Sequence, residues 1–267
     1  MALTDALTRR GFGQTSRRDA WWVTPLFVFL GFATFIVYST WAAFQGDHYW
    51  VAGTNYLSPF YSPELFGDSP HSLFGPKPGW FPSWAPWSPA FLILWAPGGF
   101  RFTCYYYRGA YYKAFWGDPP SCSVGEPRNQ YLGENSLPLV LQNIHRYFMY
   151  IAVVFIGLLA WDVWKAMWFS DGNGGEVFGI GLGTVILLVN VVLLGSYTFG
   201  CHSLRHLIGG NKDCLSAMPA RLAAYKCVGC LNKKHMNFAW LSLFSVGFSD
   251  VYVRLCSMGI WSDWRIF

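Results

Sequence analysis

Charge is what this sequence has least of. Only 12% of its 267 residues are Asp, Glu, Lys or Arg, about half the share of an ordinary soluble domain. Its 19 basic and 14 acidic side chains leave a net charge of only +5, which excludes a nucleic-acid-binding basic protein and a charged disordered tail. There is no internal repeat, and no polar stretch large enough to bury a core of its own. A disulfide-stapled secreted domain is excluded as well. What is abundant is apolar and aromatic surface, 53% and 20% of residues, and the mean hydropathy is +0.26. A polytopic membrane protein is the class that remains.

A helix needs about 20 apolar residues to cross roughly 30 Å of hydrocarbon. Five stretches qualify, over 21–44, 88–113, 138–169, 177–208 and 235–260, and predict an all-α, five-helix membrane protein forming one domain over 1–267. Pro97-Gly98-Gly99 should kink the second, and Gly209-Gly210 should stop the fourth. The first stretch is too long for a cleavable signal and has no small-residue cleavage site after it. With the N-terminus in the cytoplasm, fourteen Lys and Arg fall in inner segments: Arg9, Arg10, Arg17, Arg18, Arg101, Arg108, Lys113, Arg128, Arg205, Lys212, Arg221, Lys226, Lys233 and Lys234. Four fall outside (Lys77, Lys165, Arg254, Arg265), with Arg146 left in a span. That asymmetry places the N-terminus inside and the C-terminus outside. The segment 45–87, rich in Pro, Gly, Ser and aromatics, reads as an irregular outer cap on the headgroups.

Most thiols and imidazoles then fall toward the inner face. Cys104 lies in the second span, Cys122 in the following loop, His145 in the third span, and Cys201, His202 and His206 near the end of the fourth. At 1.5 Å per residue, His145 and Cys201 both sit about 10 Å below the inner surface. His202 and His206 are four apart, on one face of a helix. Polar groups at that depth are costly in lipid and mark function. His235, opening the fifth span, stays open between an interfacial residue and a ligand, whereas Cys256 reads as a small hydrophobe. His48 and His71 read as solvated loop residues. Two histidines such as His145 with His202 or His206 could ligate haem b, while two Cys with two His match a Rieske-type [2Fe–2S] centre. The mixture of both types favours iron–sulfur. Cys214, Cys227 and Cys230 include one Cys-x-x-Cys but no second pair at zinc-site spacing, and read as free thiols.

Four passages resemble a known family together: Phe-Thr-Cys-Tyr-Tyr-Tyr-Arg from Phe102, Leu-Gln-Asn-Ile-His-Arg-Tyr from Leu141, Cys-His-Ser-Leu-Arg-His-Leu-Ile-Gly-Gly from Cys201, and Lys-His-Met-Asn-Phe-Ala-Trp from Lys234. Over most of its length the chain is similar to the five-helix membrane anchor of actinobacterial-type succinate dehydrogenase. The resemblance implies a respiratory, tricarboxylic-acid-cycle complex in the plasma membrane. A flavoprotein and an iron–sulfur subunit sit on the cytoplasmic side, and electrons pass to a quinone, menaquinone being expected. It also implies a Rieske-type cluster within the membrane, with Cys104, His145, Cys201, His202 and His206 as the best-matched positions and Cys122 less specific. Where the family motif often carries a second cysteine, this chain has Leu204, so Cys104 or Cys122 must complete the pair.

An anchor of this kind needs a docking face, and six basic residues between Arg205 and Lys234 suit an acidic or mixed partner surface. It also needs an amphipathic pocket for a quinone head, for which Arg101, Tyr105, Tyr106, Arg146, Tyr147, Ser203 and Arg205 are candidates. With no flavin motif and no succinate-binding signature, the chain is not catalytic alone. Two other readings compete: a haem b quinone-reactive anchor of another dehydrogenase, and a metal transporter. The second is disfavoured because the only intramembrane acids, Asp162 and Asp250, fall toward the outer side.

Overall fold

The first apolar run folds as α1 (Val23–Gln45), with Pro25 confined to its first turn, where a missing N–H costs no helical hydrogen bond. The computed structural model describes residues 11–84, 86–127, 139–210 and 212–267; Arg9, Arg10 and Arg128 of the basic asymmetry lie outside them. After α1 come α2 (Trp95–Phe102), α3 (Tyr105–Phe115), α4 (His145–Lys165), the strands β1 (Trp168–Ser170) and β2 (Glu176–Phe178), then α5 (Leu182–Phe199), α6 (His202–Gly209), α7 (Pro219–Lys233) and α8 (His235–Ser257). Among the described residues, three helical stretches are long and apolar enough to cross a membrane: Val23–Gln45, Gln142–Lys165 and Leu182–Phe199. Their outward faces are apolar, with Val37 70%, Val154 61% and Val192 57% exposed, as lipid-facing helices require. The fifth run, α8, matches α1 in length but buries Ser242, Ser249, Asp250 and Arg254.

Two expected spans are interrupted. The second divides into α2 and α3 at Thr103 and Cys104, the latter extended at φ −64°, ψ 130°. Pro97 falls in the first turn of α2, which starts after a 3₁₀ turn over Pro89–Leu92, so it opens a helix and no mid-helix kink is needed. The fourth divides at Gly200 and Cys201. The third and fourth runs are also trimmed where β1 and β2 pair antiparallel, Trp168 against Phe178. Gly172 and Gly174 turn that hairpin with positive φ of 78° and 86°, a conformation only glycine adopts freely.

Chain packing divides into two compact units, one of residues 1–36 and 101–144 and one of 37–100 and 145–267. In the first, Phe29 meets Phe115 edge-on at 5.3 Å and Phe32 meets Tyr107 at 5.6 Å. Thr15 bridges to Val124, and Arg17 donates to Ser121 at 2.9 Å. In the second, α8 packs most extensively on α5, and α5 on α4.

The segment 46–88 is more than a headgroup cap. Tyr56, Ser58 and Tyr61 are fully buried. Tyr56 packs with Val163, Leu187 and Val253 and donates to Asp263 at 2.8 Å. Ser58 donates to Asp250, and Ser62 to Asp162. Tyr38 also donates to Asp250, at 2.5 Å, and Arg254 reaches Asp250 at 3.3 Å, both ion-pair partners being almost fully buried. The two acids that the sequence places in the membrane are thus held by hydroxyls of the cap.

Replacing Asp250 by leucine leaves the Arg254 guanidinium buried without its counter-ion, and should cost about 3–5 kcal/mol, while Asp250→Leu with Arg254→Met should recover much of it. Thermal unfolding of the detergent-solubilised complex reads both. A second outcome concerns His71, buried in the cap with no partner for Nε2 among the described residues. Burial first and Lys165 second push its pKa down to about 4. The unfolded histidine titrates near ~6.5 and so takes up protons first as pH falls. Protection against hydrogen exchange in segment 64–75, taken relative to the intrinsic amide rate at each pH, should therefore fall between pH 7 and 5, and His71→Phe should remove that fall.

Candidate functional site

The break between α5 and α6 builds the site. Gly200 ends α5 with its N–H on the Ser196 carbonyl, and Cys201 follows in extended geometry as the N-cap of α6, its Sγ accepting from the Ser203 N–H at 3.4 Å. This turn carries Cys201 inward to 2% exposure. There its Sγ lies 3.0 Å from Nε2 of His145, the first residue of α4 and itself 7% exposed. The sequence predicts His145 two turns into a helix; instead a 3₁₀ turn over Leu139–Ile144 precedes it and the α-helix opens on the imidazole.

Aromatic rings wall the pair off. Phe100 stacks on His145 at 4.8 Å and 5°, and Tyr197 meets Phe100 edge-on at 5.4 Å. Tyr197 in turn stacks on His235 at 4.9 Å. His235 is the first residue of α8, so two helices open on an imidazole in one cluster. A lone histidine at a helix start carries no signal in the sequence that separates it from an interfacial residue. Its correspondence to His145, likewise at the head of an apolar run, is the one feature that could have raised it. The Asn232 amide donates to the Gly200 carbonyl at 2.8 Å, satisfying one of the acceptors freed at the α5 end.

His202 and His206 do not join this cluster. Because α6 restarts after Cys201, both point into a separate cavity of about 580 Å³ that is also lined by Arg205, Lys212, Asp213 and Tyr225. Both are exposed, and their Nε2 atoms lie 3.0 Å apart. The Arg205 guanidinium lies 4.9 Å over the Tyr225 ring. Arg221 of α7 donates to the carbonyls of Ile208 and Gly210, a cation placed on the C-terminal end of α6.

The other predicted residues are placed as follows. Cys104, in the first unit, is 2% exposed and is the N-cap of α3 as Cys201 is of α6. Cys122, Cys214, Cys227 and Cys230 are exposed, while Cys256 is buried; a hydrogen bond with Ser216 lowers the pKa of Cys214. Arg101 donates to Tyr107 at 2.5 Å. Tyr105 and Tyr147 are 68% and 67% exposed, Arg146 is exposed too, and Tyr106 and Ser203 are half-buried. Among the described residues no three His, Cys, Asp or Glu side chains group closely enough to hold a metal ion. The His145–Cys201 pair nonetheless offers one nitrogen and one sulfur, the two donor types a Rieske-type centre takes.

A mostly helical chain with lipid-facing spans and a buried thiol–imidazole pair at one end of its bundle is a polytopic membrane subunit. The chain belongs to the actinobacterial succinate dehydrogenase subunit SdhC family, whose profile it matches over residues 23–259. It is therefore a membrane subunit of succinate dehydrogenase, part of an enzyme and not catalytic alone. It is similar to a chain of the Mycobacterium smegmatis Sdh1 complex in its apo form, at 42% identity and a TM-score of 0.85, over 98% of this chain and 97% of that one. No curated protein sequence matches it.

At Gly200 an added Cβ would lie 2.8 Å from the Ser196 carbonyl and 3.2 Å from the Leu231 backbone. Gly200→Val should therefore displace Cys201. In the intact complex Cys201 should resist maleimide in the parent protein and label in the variant, read by mass spectrometry.

Proposed function

We propose that this subunit passes electrons from an iron–sulfur partner to a membrane quinone through a Rieske-type [2Fe–2S] centre. The observation that carries the reading is the buried His145–Cys201 pair, with Nε2 and Sγ 3.0 Å apart behind a wall of aromatic rings. His145 and His235 supply the two imidazoles and Cys201 one thiolate. Cys104 supplies the second thiolate on the sequence reading, with Cys122 in reserve. When bound, the cluster relays single electrons. Phe100 and Tyr197 keep water from it, and the N-terminal end of α6 sets positive backbone charge beside the Cys201 sulfur.

The separate cavity at α6 takes the quinone head: His202, His206 and Arg205 can donate to its carbonyls, and Tyr225 gives it an apolar wall. On the sequence reading, Arg101, Tyr105, Tyr106, Arg146, Tyr147 and Ser203 are further candidates for contacts with the quinone. The chain crosses the plasma membrane five times as one domain, entering from the cytoplasm and ending outside, on the asymmetry of its basic residues. The flavoprotein and iron–sulfur subunits dock on the cytoplasmic face, over the basic stretch from Arg205 to Lys234, and menaquinone is the acceptor.

The dithionite-reduced complex should give a Rieske-like EPR signal that Cys201→Ser and His235→Ala abolish and Cys256→Ser leaves unchanged. His206→Ala should keep the signal and raise the KM for quinone about tenfold, the loss of one hydrogen bond of about 1.4 kcal/mol. An unchanged signal in Cys201→Ser contradicts the ligand assignment, and bis-histidine haem bands contradict the centre.

A further inference from the structure

The seam between α5 and α8 holds polar groups with no protein partner among the described residues, at a depth where lipid offers none. Asn190 of α5 is 1% exposed and neither atom of its amide is hydrogen-bonded. Ser249 of α8 is fully buried and its hydroxyl is unpaired. Arg254, 3% exposed, donates from Nε to Asp250 and from Nη1 to the Asp47 carbonyl, and leaves Nη2 unpaired.

These groups fall in a line. Tyr197 stacks on His235, which fixes the antiparallel register of the two helices. Seven residues further along each helix stand Asn190 and Ser242, on the same faces and about 10 Å from the stacked rings. Seven more along α8 stands Ser249, about another 10 Å on. Next to it is Asp250, which accepts from Tyr38, Ser58 and Arg254. Polar side chains thus recur every two turns from the cap to the His145–Cys201 cluster, through a helix pair otherwise packed with Leu187, Leu243 and Val246.

We infer that this seam is a water-lined proton path from the outer, cap side of the membrane to its inner end, where Cys201 leads through α6 into the cavity proposed for the quinone. Buried polar atoms without protein partners in a native interior are bridged by ordered water, and a membrane interior makes the alternative costlier still. Steps of about 10 Å between side chains are spanned by two or three waters each. The Tyr38–Asp250–Ser58 hydroxyl–carboxylate cluster forms the outer mouth, and Asn190, which can both donate and accept, stands at mid-path. The stoichiometry is quinone plus two electrons from the soluble partners plus two protons from the outer side, giving quinol.

This inference rests on the quinone-reducing role proposed above. The intact complex is reconstituted into liposomes with a pH dye in the lumen, and succinate with a short-chain quinone is added outside. Only complexes whose soluble subunits face outward turn over, so their cap faces the lumen. Lumenal alkalinisation should accompany quinone reduction, and Asn190→Leu combined with Ser249→Ala should abolish it. Alkalinisation missing while quinone absorbance still falls overturns the path. Absence of quinone reduction itself is seen separately in that absorbance, and overturns the underlying role and the path with it. A high-resolution cryo-EM map of the parent complex provides a check that needs no variant. Water density within hydrogen-bonding distance of the Asn190 amide and the Ser249 hydroxyl supports the path, and a dry seam overturns it.

Discussion

Hydrocarbon supplies no hydrogen-bond partner, so every polar group this chain carries into its interior must be satisfied from within. That constraint sorts the structure into two ends. At one, carboxylates that would be ruinous in lipid are closed by the cap: Asp250 accepts from Tyr38, Ser58 and Arg254, and Asp162 accepts from Ser62. At the other, Cys201 and His145 share their polar atoms with each other behind Phe100. The cap is therefore an integral part of the bundle, and its buried Tyr56 packs on the ends of α4, α5 and α8.

The interruption of α5 at Gly200 gives the functional end its form. A continuous helix would leave Cys201, His202 and His206 on one rod. Because Cys201 is extended, its sulfur turns inward while the two histidines face a different cavity. One stretch of six residues thereby places a sulfur in the buried cluster and two imidazoles at an exposed cavity. Cys104 occupies the same kind of helix-starting position at the head of α3.

Much of this was legible in the residues. The apolar runs that form α1, α4 and α5 and the mixture of thiol and imidazole side chains follow from composition. The break at Gly200 was not legible, because apolar periodicity runs on through Tyr-Thr-Phe-Gly-Cys-His with no proline or polar run to mark an end. Apolar periodicity alone therefore groups His202 and His206 with Cys201 and does not separate His235 from an interfacial residue. The 168–178 hairpin was absorbed into the neighbouring spans because its strands, Trp168–Ser170 and Glu176–Phe178, are as apolar as helix ends. Burial of the cap was hidden as well, since a segment rich in Pro, Gly and Ser reads as surface, and only the tertiary partners of Tyr56 and Ser58 show otherwise.

The central claim is that His145 and His235, with Cys201, hold a redox centre apart from the His202–His206 cavity. Pulsed EPR of the reduced complex, prepared with ¹⁵N-labelled histidine, tests it most directly. The account predicts strong nitrogen couplings from two imidazoles that persist in His202→Ala with His206→Ala. Loss of those couplings in that double variant, or a reduced centre with no histidine nitrogen coupled to it, would contradict the account.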